Sequence, residues 1–162
     1  MVTLEIQGAT LTVPTNLMLL DTCVLLAAYN PRDGLHDDAS DFLSQDQFFL
    51  IPYVVITETW GMLVGREKRP DCGIGMLKEL AELPNFDFMP VWPELFRKSR
   101  KLCDERKIDL VDAFLMNISS PLASKLKLRS PIPIATYDTR DFTRCYGYVH
   151  FRCFDVKERG YL

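Results

Sequence analysis

The sequence predicts an α/β fold with a parallel sheet at its centre. Three short apolar runs, at residues 17–20, 48–52 and 132–135, have the length of strands that are buried on both faces. Segments with helical apolar periodicity follow the first two runs and separate them from the third. Because Asp21 stands directly after the first run, we expect its carboxylate at the edge of the sheet where parallel strands end and ligands bind.

The composition predicts one ordinary globular domain. The chain has 162 residues, of which 48% are hydrophobic and 25% are charged, and its formal net charge of -3 gives no direct support for a nucleic-acid partner. No apolar run is long enough to cross a bilayer, and the first residues lack the basic start and apolar core of a signal peptide. We therefore expect a cytoplasmic protein without a membrane partner.

The cysteine and histidine content restricts the possible chemistry. The five cysteines are scattered and form no CxxC pair, which argues against a disulfide framework and a zinc site, so we expect reduced thiols that mostly pack in the interior. His36 and His150 are the only histidines, which makes a histidine-rich metal site improbable. Any metal ion must be held mainly by oxygen.

Residues 1–16 are predicted to form an extension ahead of the main domain at 17–162. Apolar residues alternate in this extension around a glycine, which indicates a small hairpin or an edge strand. After Asp21 a short helix is expected to end at Asn30, since the residue before a proline disfavours the helical conformation. A second helix at 35–46 has an acidic polar face without EF-hand ligand spacing, so we expect that face to be solvated.

The middle of the chain contributes one acid and one basic helix. Glu58 is predicted near the beginning of the helix after the second strand, where the helix dipole favours an acid, although its apolar neighbours make burial without a partner costly. A further helix is expected between Pro70 and Pro84, followed by a short strand at 86–89 and another helix. Three basic side chains share one side of this last helix, where they are either solvated or in contact with nucleic acid: Arg97, Arg100 and Lys101.

Acidic residues gather again around the third strand. Asp109 is expected to cap a helix, and Asp112 then occupies the third helical position, where it can point into a cleft at the helix end. Asp138 and Asp141 follow the strand at 132–135, and the repetition of acids at strand ends favours a site over simple turn chemistry. The tail is expected to form a last strand. A basic strip that is either solvated or aligned with a phosphate backbone precedes the third strand: Lys125, Lys127 and Arg129.

Four short motifs occur in a recognisable order. They are LLDT with Asp21, TE with Glu58, LVDAF with Asp112, and ATYDTRDF with Asp138 and Asp141. In this order the chain resembles the PIN-domain proteins, and most of all the single-domain, VapC-like toxin ribonucleases of type II toxin–antitoxin modules. The resemblance covers nearly the whole chain. It implies a three-layer α/β/α sandwich with a central parallel sheet, an acidic pocket at the strand ends, and cleavage of RNA with Mg²⁺ or Mn²⁺.

The implied site consists of oxygen ligands, which Mg²⁺ prefers. The expected catalytic residues are Asp21, Glu58, Asp112 and Asp138. The expected metal ligands are Asp21, Asp112 and one of Asp138 or Asp141. Glu58 would orient the attacking water or share the ion, while Thr22 and Thr136 would hold the adjacent carboxylates by hydrogen bonds. The basic residues expected to bind the RNA backbone are Arg140, Arg144, Lys125, Lys127, Arg97, Arg100 and Lys101.

The resemblance also implies partners, and it leaves alternatives. An RNA substrate, a small antitoxin that covers the pocket, and a homodimer are expected. One alternative is a PIN nuclease of RNA processing or decay that has no antitoxin. Another is a PIN-like binding module that does not cleave, although a module without metal has little reason to crowd unpaired carboxylates. A phosphatase of the haloacid dehalogenase type would need an aspartate where Cys23 stands.

Overall fold

The structure is a computed structural model that describes residues 2–6, 9–14 and 16–162. The strands are β1 (Val2–Ile6), β2 (Ala9–Val13), β3 (Leu17–Leu20), β4 (Phe48–Pro52), β5 (Phe86–Met89), β6 (Pro133–Thr136), β7 (Arg152–Asp155) and β8 (Gly160–Tyr161). The helices are α1 (Thr22–Tyr29), α2 (His36–Leu43), α3 (Tyr53–Gly61), α4 (Pro70–Glu82), α5 (Pro93–Arg106), α6 (Leu110–Lys125) and α7 (Arg140–Cys145), and a π-helical turn at Met62–Arg66 continues α3.

The main sheet has the strand order β5-β4-β3-β6-β7-β8, and all neighbours in it are parallel except β7 and β8. Helices cover both faces, one group around α1 and the other around α6. The predicted three-layer α/β/α sandwich is therefore confirmed. Strands β3, β4 and β6 are short apolar runs because both of their faces are covered, and Leu19, Leu50 and Ile134 are completely buried.

The strand order places a crevice beside β3. From β3 the chain proceeds to β4 and β5 on one side, whereas β6 and β7 extend the sheet on the other side. The order of strands thus reverses between β3 and β6, and such a reversal opens a ligand crevice at the carboxyl ends of the strands. Asp21 follows β3 at this edge, and its backbone N–H bonds the carbonyl of Ala135 in β6 at 3.1 Å.

Strands β1 and β2, in the segment for which a small hairpin or an edge strand was predicted, pair as a separate antiparallel sheet in which Val2 is opposite Val13. The glycine expected at its centre, Gly8, lies outside the described residues. Across the described ranges, no helix is long and apolar enough to cross a membrane.

The helix with Glu58 begins at Tyr53, directly after Pro52, as the sequence predicts, and Glu58 lies in its second turn. Two other element predictions are wrong. The tail adds β8 after β7, so β7 is not the last strand; Tyr161 of β8 pairs with Phe154 of β7. The segment with Asp141 was expected to be a turn, but Arg140–Cys145 forms the helix α7. The other helices and strands follow the predicted order.

Candidate active site

Asp21 lies at the centre of the candidate site. It caps α1 and is only 5% exposed. Its Oδ1 accepts a hydrogen bond from the backbone N–H of Thr22 at 2.6 Å, and its Oδ2 accepts one from the hydroxyl of Thr136 at 2.6 Å. Burial nevertheless raises the pKa of Asp21, and the negative charge of Asp138 acts in the same direction. Among the described residues, no arginine, lysine or histidine forms an ion pair with this carboxylate.

Glu58 reaches the same edge from α3. Its Oε2 accepts a hydrogen bond from the hydroxyl of Thr22 at 2.5 Å. Burial raises the pKa of Glu58, the bond from Thr22 opposes that shift, and the charges of Asp109 and Asp21 add to it. The expectation for Thr22 is thus modified: its hydroxyl holds Glu58, and only its backbone N–H holds the adjacent Asp21.

Asp112 lies at the beginning of α6, as predicted. Asp109 caps this helix, because its carboxylate accepts a hydrogen bond from the N–H of Val111 at 2.8 Å, and Asp112 is the third helical residue. Burial raises the pKa of Asp112 to about 8, and the charges of neighbouring acids contribute to the shift. These acids are Asp21, Asp109, Asp141 and Glu58. The crevice thus brings the acids of four separate segments into one electrostatic environment.

The segment after β6 supplies the remaining two acids, Asp138 in the turn and Asp141 in the first turn of α7, and both are paired with arginines. Asp138 forms a two-pronged ion pair with Arg140, at 3.0 Å to Nε and 2.7 Å to Nη2, which lowers the pKa of Asp138. Asp141 contacts Nη1 of Arg144 at 2.9 Å. Both pairs are partly exposed, so solvent weakens them. These two acids are less deeply buried than Asp21.

Cys23 belongs to the site, although sequence reasoning assigned it to packing. Its Sγ donates to Oδ2 of Asp21 at 3.0 Å and accepts from the backbone N–H of Tyr137 at 3.2 Å. The Tyr137 hydroxyl in turn donates to Asp38 at 2.6 Å. Burial raises the pKa of the Cys23 thiol well above its ordinary value, so it remains a protonated donor. Its position in the first turn of α1, two residues after Asp21, could have indicated from the sequence that Cys23 lies in the site.

The candidate ligands are of the chemical type that a hard divalent cation prefers. All its candidate ligands are carboxylate oxygens, and the raised pKa values of Asp21 and Asp112 mark negative charge that a cation would stabilise. Among the residues that the structure describes, no three His, Cys, Asp or Glu side chains form a ready ligand cluster. Asp138 and Asp141 face arginines in this conformation.

The family comparison agrees with this arrangement. The PIN domain family matches residues 18–147, a range that includes all five acids of the predicted site. The chain belongs to the PIN domain family. PIN proteins of the VapC group are nucleases, and PIN nucleases generally use divalent metal ions. Comparison with curated proteins gives no match.

Three solved structures share the PIN fold of this chain. VapC20 of Mycobacterium tuberculosis, a sarcin–ricin loop cleaving toxin, is 18% identical with a TM-score of 0.61 over 82% of this chain and 98% of that one. The toxin–antitoxin complex from Klebsiella pneumoniae is 21% identical, with a TM-score of 0.52 over 81% and 92%. VapBC2 from Rickettsia felis, bound to a DNA fragment from its promoter, is 14% identical, with a TM-score of 0.54 over 86% and 99%. At these identities the likeness concerns the fold.

The basic residues predicted to bind RNA are divided by the fold. Arg140 and Arg144 lie at the acidic crevice, where they form ion pairs with Asp138 and Asp141. Lys125 lies at the far end of α6, 13 residues and roughly 20 Å from Asp112. Lys127 and Arg129 follow it before β6, at the opposite edge of the sheet. On α5, Arg100 and Lys101 form ion pairs with acids one turn later, and Arg97 is exposed; no contact joins these three to the acidic crevice in the described part of the chain.

A separate cavity lies away from the acids. It has a volume of about 880 Å³ and is formed between α1, α2 and α4, with Tyr29, His36, Cys72, Glu79 and Asn85 among its lining residues. None of the acids around Asp21 lines it. The candidate chemistry therefore belongs to the crevice rather than to this cavity.

Proposed function

We propose that this PIN protein is a metal-dependent endoribonuclease and the toxin of a toxin–antitoxin pair. The observation that carries the proposal is Asp112, whose carboxyl has a pKa raised to about 8 by burial and by the acids around it. Such a group lowers the stability of the fold, so its presence favours a functional role. Acids with perturbed pKa values in a cleft are typical of active sites. Nucleases are the established class within the family.

The proposed ligands are Asp21 and Asp112, completed by Asp138 or Asp141 after release from their arginines. When bound, Mg²⁺ or Mn²⁺ would orient water for in-line attack and neutralise charge on the phosphoryl oxygens. Glu58 is placed to accept a proton from the attacking water, because its raised pKa makes it a better base than an ordinary glutamate. Thr136 and Cys23 donate hydrogen bonds to Oδ2 of Asp21, and these bonds fix the orientation of the carboxylate. Arg144 borders the crevice and is placed to bind the RNA backbone.

The decisive experiment is cleavage of a mixed RNA pool by the purified protein with Mg²⁺ or Mn²⁺. EDTA and the Asp112→Asn variant should each abolish cleavage, whereas Asp46→Asn, which removes an exposed acid outside the crevice, should leave it unchanged. Cleavage that persists in EDTA would reject metal dependence. Folded wild-type protein that neither cleaves RNA nor binds the metals would reject the nuclease proposal.

The toxin role is supported by the fold shared with VapC20, a sarcin–ricin loop cleaving toxin, and with a chain of the toxin–antitoxin complex from Klebsiella pneumoniae. A small antitoxin reading frame beside the gene is expected, and expression of the chain alone should arrest growth unless that neighbour is expressed with it. Normal growth together with metal-dependent RNA cleavage would favour an RNA-processing nuclease instead. Light scattering of the purified protein measures its molar mass in solution and so tests the proposed homodimer.

A further inference from the structure

An aromatic loop follows α7 beside the acidic crevice. In Tyr146, Gly147 and Tyr148 the chain turns sharply, with a positive φ of 85° at Gly147. The N–H of Tyr148 bonds the carbonyl of Cys145 at 3.1 Å. The ring of Tyr146 lies flat on buried Phe151, with ring centroids 4.9 Å apart and an angle of 5° between the planes. These contacts fix the loop against the core.

An arginine covers one face of the second tyrosine. Cζ of Arg106 lies 3.0 Å from the ring centroid of Tyr148. Tyr148 is still 61% exposed, so its accessible area belongs to the ring edge and the face opposite the guanidinium. The ring is thus held from one side and open on the other, with a positive charge directly behind it.

The loop is joined to the acidic crevice through two arginines. Nη2 of Arg144 donates to the carbonyl of Arg106 at 2.9 Å, and Nη1 of the same side chain contacts Asp141 at 2.9 Å. Asp141 is one of the acids whose charge raises the pKa of Asp112. The sequence of contacts therefore runs from Tyr148 through Arg106 and Arg144 to the acids.

We propose that the open face of Tyr148 stacks an unpaired RNA base beside the scissile phosphate, while Arg144 binds a neighbouring backbone phosphate. This inference rests on the proposed nuclease function. An exposed aromatic ring backed by a guanidinium is suited to single-stranded nucleic acid, because every base has a flat face and the strand is negatively charged. A base inside an A-form duplex is covered on both faces, so the ligand must be an unpaired segment.

The test measures binding separately from cleavage. The full chain carrying Asp112→Asn is titrated against a fluorescein-labelled strand of twelve uridines and against the same strand annealed to twelve adenosines, with anisotropy as the readout. Adding Tyr148→Ala should weaken binding of the single strand roughly 5- to 150-fold. Tyr148→Phe keeps the ring and should bind like the parent, and duplex binding should not change with either variant.

Tyr161→Ala is the matched control. Tyr161 is 49% exposed and also lies under an arginine, with Cζ of Arg152 3.6 Å from its ring centroid, but it belongs to β8, far along the sheet from the acids. Its loss should leave binding of the uridine strand unchanged.

Equal affinity of the parent and Tyr148→Ala for the single strand would overturn the stacking proposal, as would an equal loss for the duplex. If the wild type also cleaves RNA in a metal-dependent way, either result would reject the stacking role of Tyr148 and leave the nuclease proposal unaffected. If Tyr148→Ala weakens binding of the single strand alone but the wild type does not cleave RNA, the stacking role of Tyr148 would be supported and the nuclease proposal rejected.

Discussion

The thiol of Cys23 links two parts of the site that are far apart in the chain. It donates to Asp21 at 3.0 Å and accepts from the N–H of Tyr137 at 3.2 Å. Cys23→Ala removes both bonds and leaves the N–H of Tyr137 without its acceptor, so we expect the free energy of unfolding to fall by about 1 to 2 kcal/mol. Cleavage should also require more metal, because Asp21 loses one of the groups that orient it. Urea unfolding and a Mn²⁺ titration of cleavage measure the two effects.

The conservative replacement separates hydrogen bonding from packing at this position. Cys23→Ser retains a donor and an acceptor, so it should restore most of the metal response. Cys72→Ala removes another half-buried thiol, whose only described side-chain partner is Asp71 at 3.8 Å, and should change neither quantity. If the serine variant were as impaired as the alanine variant, volume rather than hydrogen bonding would explain the role of Cys23.

Arg140 should compete with the metal for Asp138. The pair is exposed and bidentate, so solvent weakens it strongly and a cation can displace the arginine. If Asp138 is a ligand, Arg140→Ala should tighten Mn²⁺ binding by up to about fivefold, measured by calorimetry without RNA. If Asp141 is the ligand, Arg144→Ala should produce this effect instead. Unchanged Mn²⁺ affinity in both variants would contradict a requirement to break either pair.

The positions of some candidate residues in the fold were easier to predict from the sequence than those of others, for physical reasons. Asp21 and Asp112 were predictable because strand ends and the third position of a helix have fixed directions. Cys23 was missed because a cysteine without a metal-binding partner resembles a core residue until its tertiary neighbours are known. The pairing of Asp138 with Arg140 depends on a local turn after β6, which composition does not determine.

At the scale of elements, α4 packs on α3 through a glycine. A Cβ at Gly73 would lie 3.0 Å from Cε3 of Trp60, whereas a Cβ at Gly75 would meet no atom within 4 Å. We expect Gly73→Ala to destabilise the protein by about 1 to 2 kcal/mol, since overpacking exceeds the gain in helix propensity. Gly75→Ala should stabilise it by about 0.5 to 1 kcal/mol. Urea midpoints with unchanged slopes measure both.

The two glycines serve as controls for each other, because they occupy the same helix and undergo the same substitution. A stabilising Gly73→Ala would mean that Trp60 moves aside at little cost. The register of α4 against α3 would then be less constrained than the short distances from Gly73 to Trp60 and Val64 indicate.

The boundary between β4 and α3 was predictable from a single residue. The apolar run of β4 and the apolar periodicity of α3 meet without polar residues between them, so Pro52 alone marks the junction. The helix begins at Tyr53, as predicted, and Glu58 in its second turn accepts the hydrogen bond from Thr22. Where turn signals are present, as at Asn30 and Pro31, the predicted helix end agrees with the structure.

At the scale of the whole molecule, charge is separated along the sheet. The acidic crevice occupies the carboxyl edge around Asp21, while Lys125, Lys127 and Arg129 lie toward the amino edge. The net charge of -3 averages over these regions and therefore indicated little about an RNA partner. Two basic residues pair with acids of the crevice, Arg140 and Arg144, and they can offset repulsion between the acids and a phosphate backbone.

The acids of the crevice should make the stability of the metal-free protein fall as pH rises. The pKa of Asp112 is about 8 in the folded protein, compared with an ordinary value of 3.8, so between pH 4 and 8 the folded state binds a proton that the unfolded chain has released. The free energy of unfolding in EDTA should therefore decrease between pH 5.5 and 8.5, by about 1 to 3 kcal/mol. The raised pKa values of Asp21 and Glu58 act in the same direction.

Mg²⁺ or Mn²⁺ should reverse this loss, because a cation stabilises the charged carboxylates of the folded state only. The gain on adding metal should be larger at pH 8.5 than at pH 5.5, where protons compete for the same oxygens. Asp112→Asn should reduce both the pH dependence and the gain, while the exposed control Asp46→Asn should alter neither. A pH dependence equal in wild type and Asp112→Asn would show that another group dominates the linkage, and the proposed role of Asp112 in the pH dependence would have to be abandoned.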